Sequence, residues 1–439
     1  MVVSNAGIPP LVSALFLSSV ILTSRFRLPI GAFEGVPLYV AFASILLLYL
    51  PMKVLKQAAM FFAALIAYEL LKHVQPGFQF STKGFFGIFA LAILVPVTFQ
   101  CLVVVFNQSE DWVTKWMKYQ LFAIFAYTLT EQCLNGIGVD FLRISGAFVR
   151  KNDFFGTLAL SGFFAEPSHL ALGVAPYIFI LIYDVKKFLA MYGRKGAAAL
   201  MLTVLLCPSS TIIMMIIMSA GVFFLYQLRY LKLKYILASL VGFMLVAVLV
   251  IHVPNFSSRF FGMFMSPSEL VSENQISVLA YLKGFEMALY ALQHFPLGVA
   301  YLNMEVIAPN SSISYLMPIM QNLNSQDGSS ILFKGICEMG VPFIIFCILN
   351  IAYFAKKSLV NKPASAKELI LIAIYFSFFS HFVRGVSYTY GILTLAIAIG
   401  VYHIFFKYDI VDGCLVRRLP RSRQRNPQDG AAIIVSHDG

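Results

Sequence analysis

Charge is what this chain has least of. Asp, Glu, Lys and Arg make up only 12% of its 439 residues, against about 25% in an ordinary soluble domain. A water-facing globular surface is therefore excluded for most of its length. The 20 acidic residues form no group with metal-ligand spacing. The six cysteines and seven histidines show no CxxC pair and no zinc pattern. Cys101, Cys207 and Cys347 lie inside apolar runs and read as small hydrophobes. A P-loop and a dinucleotide fingerprint are both missing, so neither ATP nor any other cofactor is expected.

Hydrophobic residues are abundant, at 59%, and they come in long blocks such as Phe85 to Phe106, Val174 to Tyr183 and Tyr235 to Val253. Several approach the ~20 residues that carry a helix across a bilayer core. Lipid forces backbone polar groups to be satisfied internally, and no run of short alternating strands suggests a barrel. An all-α polytopic membrane bundle of about 12 transmembrane helices is expected. The spans fall near 8–23, 36–52, 57–72, 85–106, 119–137, 166–183, 197–208, 210–227, 235–253, 340–355, 368–382 and 390–406. With no basic n-region before it, the first block is expected to remain as a helix.

The net charge of +12 does not point to nucleic acid, because the basic residues sit in short loops between apolar blocks. With the N-terminus inside, most of the 32 Lys and Arg residues fall in cytoplasmic loops or the tail. These include Lys53, Lys115, Lys187, Arg194, Lys234, Lys357, Lys362, Lys367 and Arg417. Both termini are thus expected in the cytoplasm. Residues 1–410 read as the membrane domain, and residues 411–439, rich in Arg, Pro, Gln and Asp, as a disordered basic tail.

One loop, about 254–340, is far longer than the rest and lies outside. Within it Leu279, Leu282, Phe285, Leu289 and Leu292 recur at helical spacing, with Lys283, Glu286 and His294 as polar positions. An amphipathic helix across the outer mouth of the bundle fits this pattern. A long structured loop of this kind usually carries function.

The unusual polar residues gather on that same outer side. Arg143, Arg150, Glu166, His169, Arg259, Asp327, Lys334, His381 and Arg384 all fall outside or at outer helix ends. Glu166-Pro167-Ser168 reads as a helix start. Glu166 and His169, three apart, also share a helix face, where a carboxylate can orient an imidazole. Arg143 and Arg150 suit headgroup contact or a bidentate clamp on a diphosphate. Arg384 sits in the short outer turn of His381-Phe-Val-Arg384, where topology needs no positive charge. Asp327-Gly328 is first a turn signal, with sugar contact as its functional reading. Ser209-Ser210-Thr211 reads as a helix cap.

Several pieces occur in order: Arg143-Ile-Ser-Gly146, Phe164-Ala-Glu166-Pro-Ser168 and Ser210-Thr211, each of the latter two opening a helix. Tyr281-Leu-Lys-Gly-Phe-Glu-Met-Ala-Leu then leads to His294-Phe-Pro296-Leu-Gly298, and Asp327-Gly-Ser-Ser precedes Glu338-Met-Gly340. On these residues, covering about 140–345, the chain resembles the O-antigen polymerase family (Wzy-like), which has relatives among the O-antigen ligases. The resemblance implies a metal-independent glycosyltransferase of GT-C type in the bacterial inner membrane. Such an enzyme polymerises undecaprenyl-pyrophosphate-linked repeat units on the periplasmic face, for O-antigen, capsule or exopolysaccharide.

It implies Arg143 and Arg384 at the pyrophosphate and Glu166 or His169 as base. Arg150, Arg259, Asp327, Lys334 and His381 would hold substrate. Lipid-linked oligosaccharide, membrane lipid and a chain-length regulator are the partners it suggests. Ligase relatives carry a His-Asn pair where this chain has Gln326-Asp327-Gly328, which favours polymerase over ligase. The rival from another class is a flippase for lipid-linked oligosaccharide. It would show internal repeats and polar midplane helices, and the sequence shows no repeat.

Overall fold

Long apolar segments with no aqueous partner for their backbone fold as helices, and helices dominate the computed structural model of the chain. It describes residues 7–22, 27–30, 33–75, 82–137, 167–206, 209–228, 265–272, 276–316, 329–360, 362–384 and 391–417, with 237, 241, 244 and 388 as single positions. In chain order come α1 (Pro10–Leu22), a hairpin of β1 (Arg27–Ile30) and β2 (Phe33–Pro37), α2 (Leu38–Leu47) and α3 (Met52–Leu71). A 3-10 turn, Lys72–Val74, extends α3. Next are α4 (Thr82–Phe106), α5 (Glu110–Gly136), α6 (Pro167–Tyr183), α7 (Val185–Leu206) and α8 (Ser210–Leu228).

After these come α9 (Pro267–Ser272), α10 (Ile276–His294), a 3-10 helix Met304–Asn310 and α11 (Ile313–Leu316). The chain continues with α12 (Ile331–Ala355), α13 (Ala366–Ser380), α14 (Gly391–Phe406) and a second hairpin, β3 (Tyr408–Val411) with β4 (Cys414–Arg417). Among the described residues, five helices are long and apolar enough to cross a bilayer: Met52–Val74, Thr82–Phe106, Val185–Leu206, Thr211–Leu228 and Ile331–Val360. The apolar window of α4 is 89% buried and that of α3 only 17%. Helix α4 is therefore central, packed on α1, α2, α3 and α14, whereas α3 exposes its apolar side.

Local chemistry explains the boundaries. Pro167, whose fixed φ suits the first helical position, opens α6. The Ser209 hydroxyl accepts the Thr211 N–H at 3.2 Å before α8, the capping role expected of it. Ser365 caps α13 through the Glu368 N–H at 3.1 Å. Helix α7 begins at Val185 and runs through a break at Gly193 (φ 69°), so Lys186, Lys187, Arg194 and Lys195 lie on a helix rather than in a loop.

Helix α12 begins at Ile331, not at Gly340, because the apolar run before Gly340 is itself helical. Gly340 (φ 57°, ψ −143°) breaks it into two halves.

Helix α10 forms where the spacing predicts, and Leu279 of the expected stripe is fully buried, but the rest of the buried face departs from that stripe. Ala280, Lys283, Met287, Ala288 and Ala291 are buried, while Phe285 is 45% and Leu289 44% exposed. The small residues let α10 lie close along α12, which the larger Leu and Phe side chains would prevent. Burial of Lys283 pushes its ammonium below the usual lysine range.

One end of the bundle collects lysines that do more than set orientation. Lys367 Nζ donates to Phe106 O at 2.9 Å and Gln108 O at 3.0 Å, capping the last carbonyls of α4. Lys187 Nζ donates to Pro363 O at 2.6 Å and Ala364 O at 3.2 Å. Lys357 pairs with Asp409 at 3.0 Å, and Tyr353 Oη donates to the same carboxylate at 2.9 Å.

The stretch 411–417, expected to start a disordered tail, instead completes the β3–β4 hairpin at this end. Asp412 (φ 49°) and Gly413 (φ 74°) form its turn, a pairing with two positive φ values that Asp-Gly supplies well. The positions after 417 lie outside the described residues. A Cβ at Gly413 would meet Lys367 Cβ at 2.5 Å and Ser365 Oγ at 2.8 Å. Gly413→Val should therefore destabilise the protein by about 1–3 kcal/mol from backbone strain alone. Thermal unfolding in detergent measures this, and an unchanged midpoint would contradict it.

Candidate functional site

The other end of the bundle holds a second, larger polar assembly built around a strap, Pro296–Tyr301. The strap follows α10 and lies across the break in α12. Val341 N–H donates to Pro296 O at 2.9 Å and Val299 N–H to Cys337 O at 2.8 Å. Two glycines permit this approach. A Cβ on Gly340 would stand 2.1 Å from Pro296 O, and one on Gly298 (φ 78°) 2.4 Å from Glu338 O. Only a residue without a side chain fits either place.

The end of α3 closes over the strap from the other side. Lys72, fully buried, forms an ion pair with Glu69 and donates to Val299 O at 2.9 Å and Glu338 O at 2.6 Å. Glu69 Oε2 accepts the Tyr301 N–H at 3.1 Å. The Tyr68 hydroxyl is shared between Leu297 O at 2.6 Å and Met339 O at 2.8 Å. Gln75 donates to Gly298 O and accepts from the Leu297 N–H, both at 3.0 Å. Side chains of α3 and its terminal turn thus satisfy five backbone groups of the strap, and backbone bonds to α12 satisfy two more, as burial requires.

A second ion pair lies one turn away. Lys334 Nζ stands 3.5 Å from Glu338 Oε1, with both side chains buried. Tyr388 faces Glu338 and stacks on Tyr301, ring centroids 5.3 Å apart. The Lys334 ammonium lies 5.7 Å from the Tyr388 ring centre, a cation–π distance. Held in this way, Lys334 is buried between Glu338 and Tyr388.

The start of α12 joins this assembly to the turn after α13. Ile331 N–H donates to His381 O at 3.1 Å, and Ser330 Oγ donates to Phe382 O at 2.7 Å. In that turn His381 Nδ1 lies 2.5 Å from Ser377 O. A carbonyl only accepts, so Nδ1 carries the proton and Nε2 keeps its lone pair. Nε2 has no hydrogen-bond partner among the described residues. His169, on the first turn of α6, stands within electrostatic reach of His381, because α6 packs along α13. Arg384 closes the same turn.

Of the residues singled out from sequence, His169, His381 and Arg384 are therefore brought to one end of the bundle, and Lys334 lies behind them in the strap assembly. Arg143, Arg150, Glu166, Arg259 and Asp327 lie outside the described residues. Sequence reading missed Tyr68, Glu69, Lys72, Gln75, Tyr301 and Tyr388. One signal was present: Glu69 and Lys72, three apart, end an apolar span where a single charge would be costly. Among the described residues no group of three or more His, Cys, Asp or Glu side chains has the arrangement of a metal site. No protein-family model matches the chain, and no curated protein matches it.

Proposed function

We propose that this protein is a membrane-embedded glycosyltransferase that polymerises undecaprenyl-pyrophosphate-linked oligosaccharide repeat units. In this reading the bundle has about 12 spans and a GT-C-like arrangement. The lysine-rich end faces the cytoplasm, together with both termini, and the strap end faces the periplasm of a bacterial inner membrane. The gathering of His169, His381 and Arg384 at the strap end carries the proposal. It supplies imidazole and guanidinium groups at one membrane face.

The chemistry follows from the groups. Guanidinium groups stabilise the departing pyrophosphate through fixed positive charge, which needs no reorganisation as the bond breaks. A base takes the proton of the acceptor hydroxyl while the sugar carbon moves from pyrophosphate to that oxygen. Glu166 and His169 are the candidates from sequence. His381 joins them, because its Nδ1–H bond leaves Nε2 as the acceptor. The external elements from α9 to α11 would orient donor and acceptor glycans.

Deleting the gene and resolving surface polysaccharide on a gel tests this reading. Loss of the long-chain ladder, with single repeat units still reaching their final acceptor, is the expected result. Repeat units retained inside the cell would instead indicate a flippase, and long polymer left unattached would indicate a ligase. Arg143→Ala, Glu166→Ala and Arg384→Ala, at normal protein levels, should each lower polymerisation by about 100-fold or more, the usual cost of losing a charge-stabilising group. A full ladder in all three would overturn the assignment.

A further inference from the structure

We propose that Lys72 is a positioning residue: it locks the strap onto α12 and, through the first half of that helix, fixes the turn that carries His381 and Arg384. The path is continuous in bonded contacts. Lys72 Nζ grips Val299 O in the strap and Glu338 O in α12 at once. The strap is itself bonded to α12 on both sides of Gly340, at Cys337 O and the Val341 N–H. The segment Ile331–Met339 is therefore clamped at its C-terminal end. Its N-terminal end is bonded to His381 O and Phe382 O.

Between these two ends runs a short rigid helix. Nine residues at about 1.5 Å each make it roughly 13 Å long. Gly340 separates it from the rest of α12, so its orientation is set by the clamp and not by the long lower half. Glu69 pairs with the lysine and aims it, and Glu69 Oε2 adds the bond to the Tyr301 N–H. Losing the Lys72 ammonium removes one of two side-chain groups that bridge strap and helix carbonyls from a single atom among the described residues, the other being the Tyr68 hydroxyl. The His381 Nε2 and Arg384 geometry would loosen with it. The consequence for catalysis rests on the glycosyltransferase reading, whereas the mechanical coupling does not.

Hydrogen–deuterium exchange on the full-length protein in nanodiscs tests the coupling directly, comparing wild type with Lys72→Met. Amides of 295–302 and 338–342 should exchange at least tenfold faster, and those of the 381–384 turn should follow. The β3–β4 hairpin at the opposite end should keep its protection. Tyr68→Phe, which removes one shared hydroxyl and buries no stray charge, should give the same pattern at smaller amplitude and guards against simple misfolding of Lys72→Met.

Unchanged exchange at 381–384 in both variants, with the strap loosened, overturns the proposal; so does an unchanged strap. In a transfer assay with lipid-linked repeat units, kcat per folded molecule should fall at least tenfold while donor KM moves less than threefold. An unaltered kcat with a loosened turn overturns the positioning role. Absence of any transfer by the wild type would sink the glycosyltransferase reading, and the exchange result would still decide the coupling.

Discussion

Gly340→Ala should unfold the strap end of this protein. The backbone there has φ 57° and ψ −143°, a region essentially reserved for glycine, and holding another residue in it costs about 1–3 kcal/mol. The added Cβ would also fall 2.1 Å from Pro296 O and 2.6 Å from Gly298 N. Both are backbone atoms that cannot swing aside as a side chain can. Relief requires the strap to move off α12, which breaks the Val341–Pro296 and Val299–Cys337 bonds and exposes the buried Lys72 pair. The detergent-solubilised variant should show a lower unfolding midpoint and a larger aggregated fraction on size exclusion. Gly221→Ala serves as control, since a Cβ there meets nothing within 4 Å. Equal midpoints for the two variants would refute the account of the break.

Glu338→Gln should be nearly as damaging, for an electrostatic reason. It leaves the Lys334 ammonium buried without its carboxylate. Removing one partner of a buried pair costs about 3–5 kcal/mol, whereas replacing both by apolar groups is often neutral. Lys334→Met combined with Glu338→Leu should therefore be more stable than either Lys334→Met or Glu338→Leu alone. Unfolding midpoints of the four proteins form a double-mutant cycle, and simple additivity would show that the two residues act separately. The pair also fixes how Lys334 is to be understood. From sequence it stood as a substrate contact; in the structure it is buried against Glu338 and Tyr388.

The helices were legible because their cause is local. Runs without charge specify helix in lipid, and punctuation such as Pro167, Ser209 and Ser365 marks where each begins. The spans expected at 8–23, 85–106, 166–183 and 390–406 correspond to Pro10–Leu22, Thr82–Phe106, Pro167–Tyr183 and Gly391–Phe406. Even the signature His294-Phe-Pro296-Leu-Gly298 and Glu338-Met-Gly340 stood out as words, though not as partners. The structure shows that they meet, and that the two glycines exist for that meeting. Reading failed wherever a residue's role depended on a distant one. Only part of the α10 stripe, Leu279 foremost, proved buried, because helical period reveals a stripe without saying which neighbour will press on it. The lysines at the end opposite the strap looked like topology signals alone. Carbonyl ends of α4 and of the segment before α13 turned several of them into caps.

By itself the sequence determined that the chain is mostly helical, with apolar segments long enough to span a membrane. Both follow from the cost of placing charge and bare backbone in hydrocarbon, a cost that acts residue by residue. Tertiary structure alone decided that Lys72 would hold Glu338, 266 positions away, and that a break at Gly340 would seat a strap. It also decided that His169 would come within electrostatic reach of His381, through the packing of α6 along α13. Such contacts arise from packing of separate helices, where a buried ammonium must find whichever carbonyls the fold brings within reach. No local pattern encodes that choice.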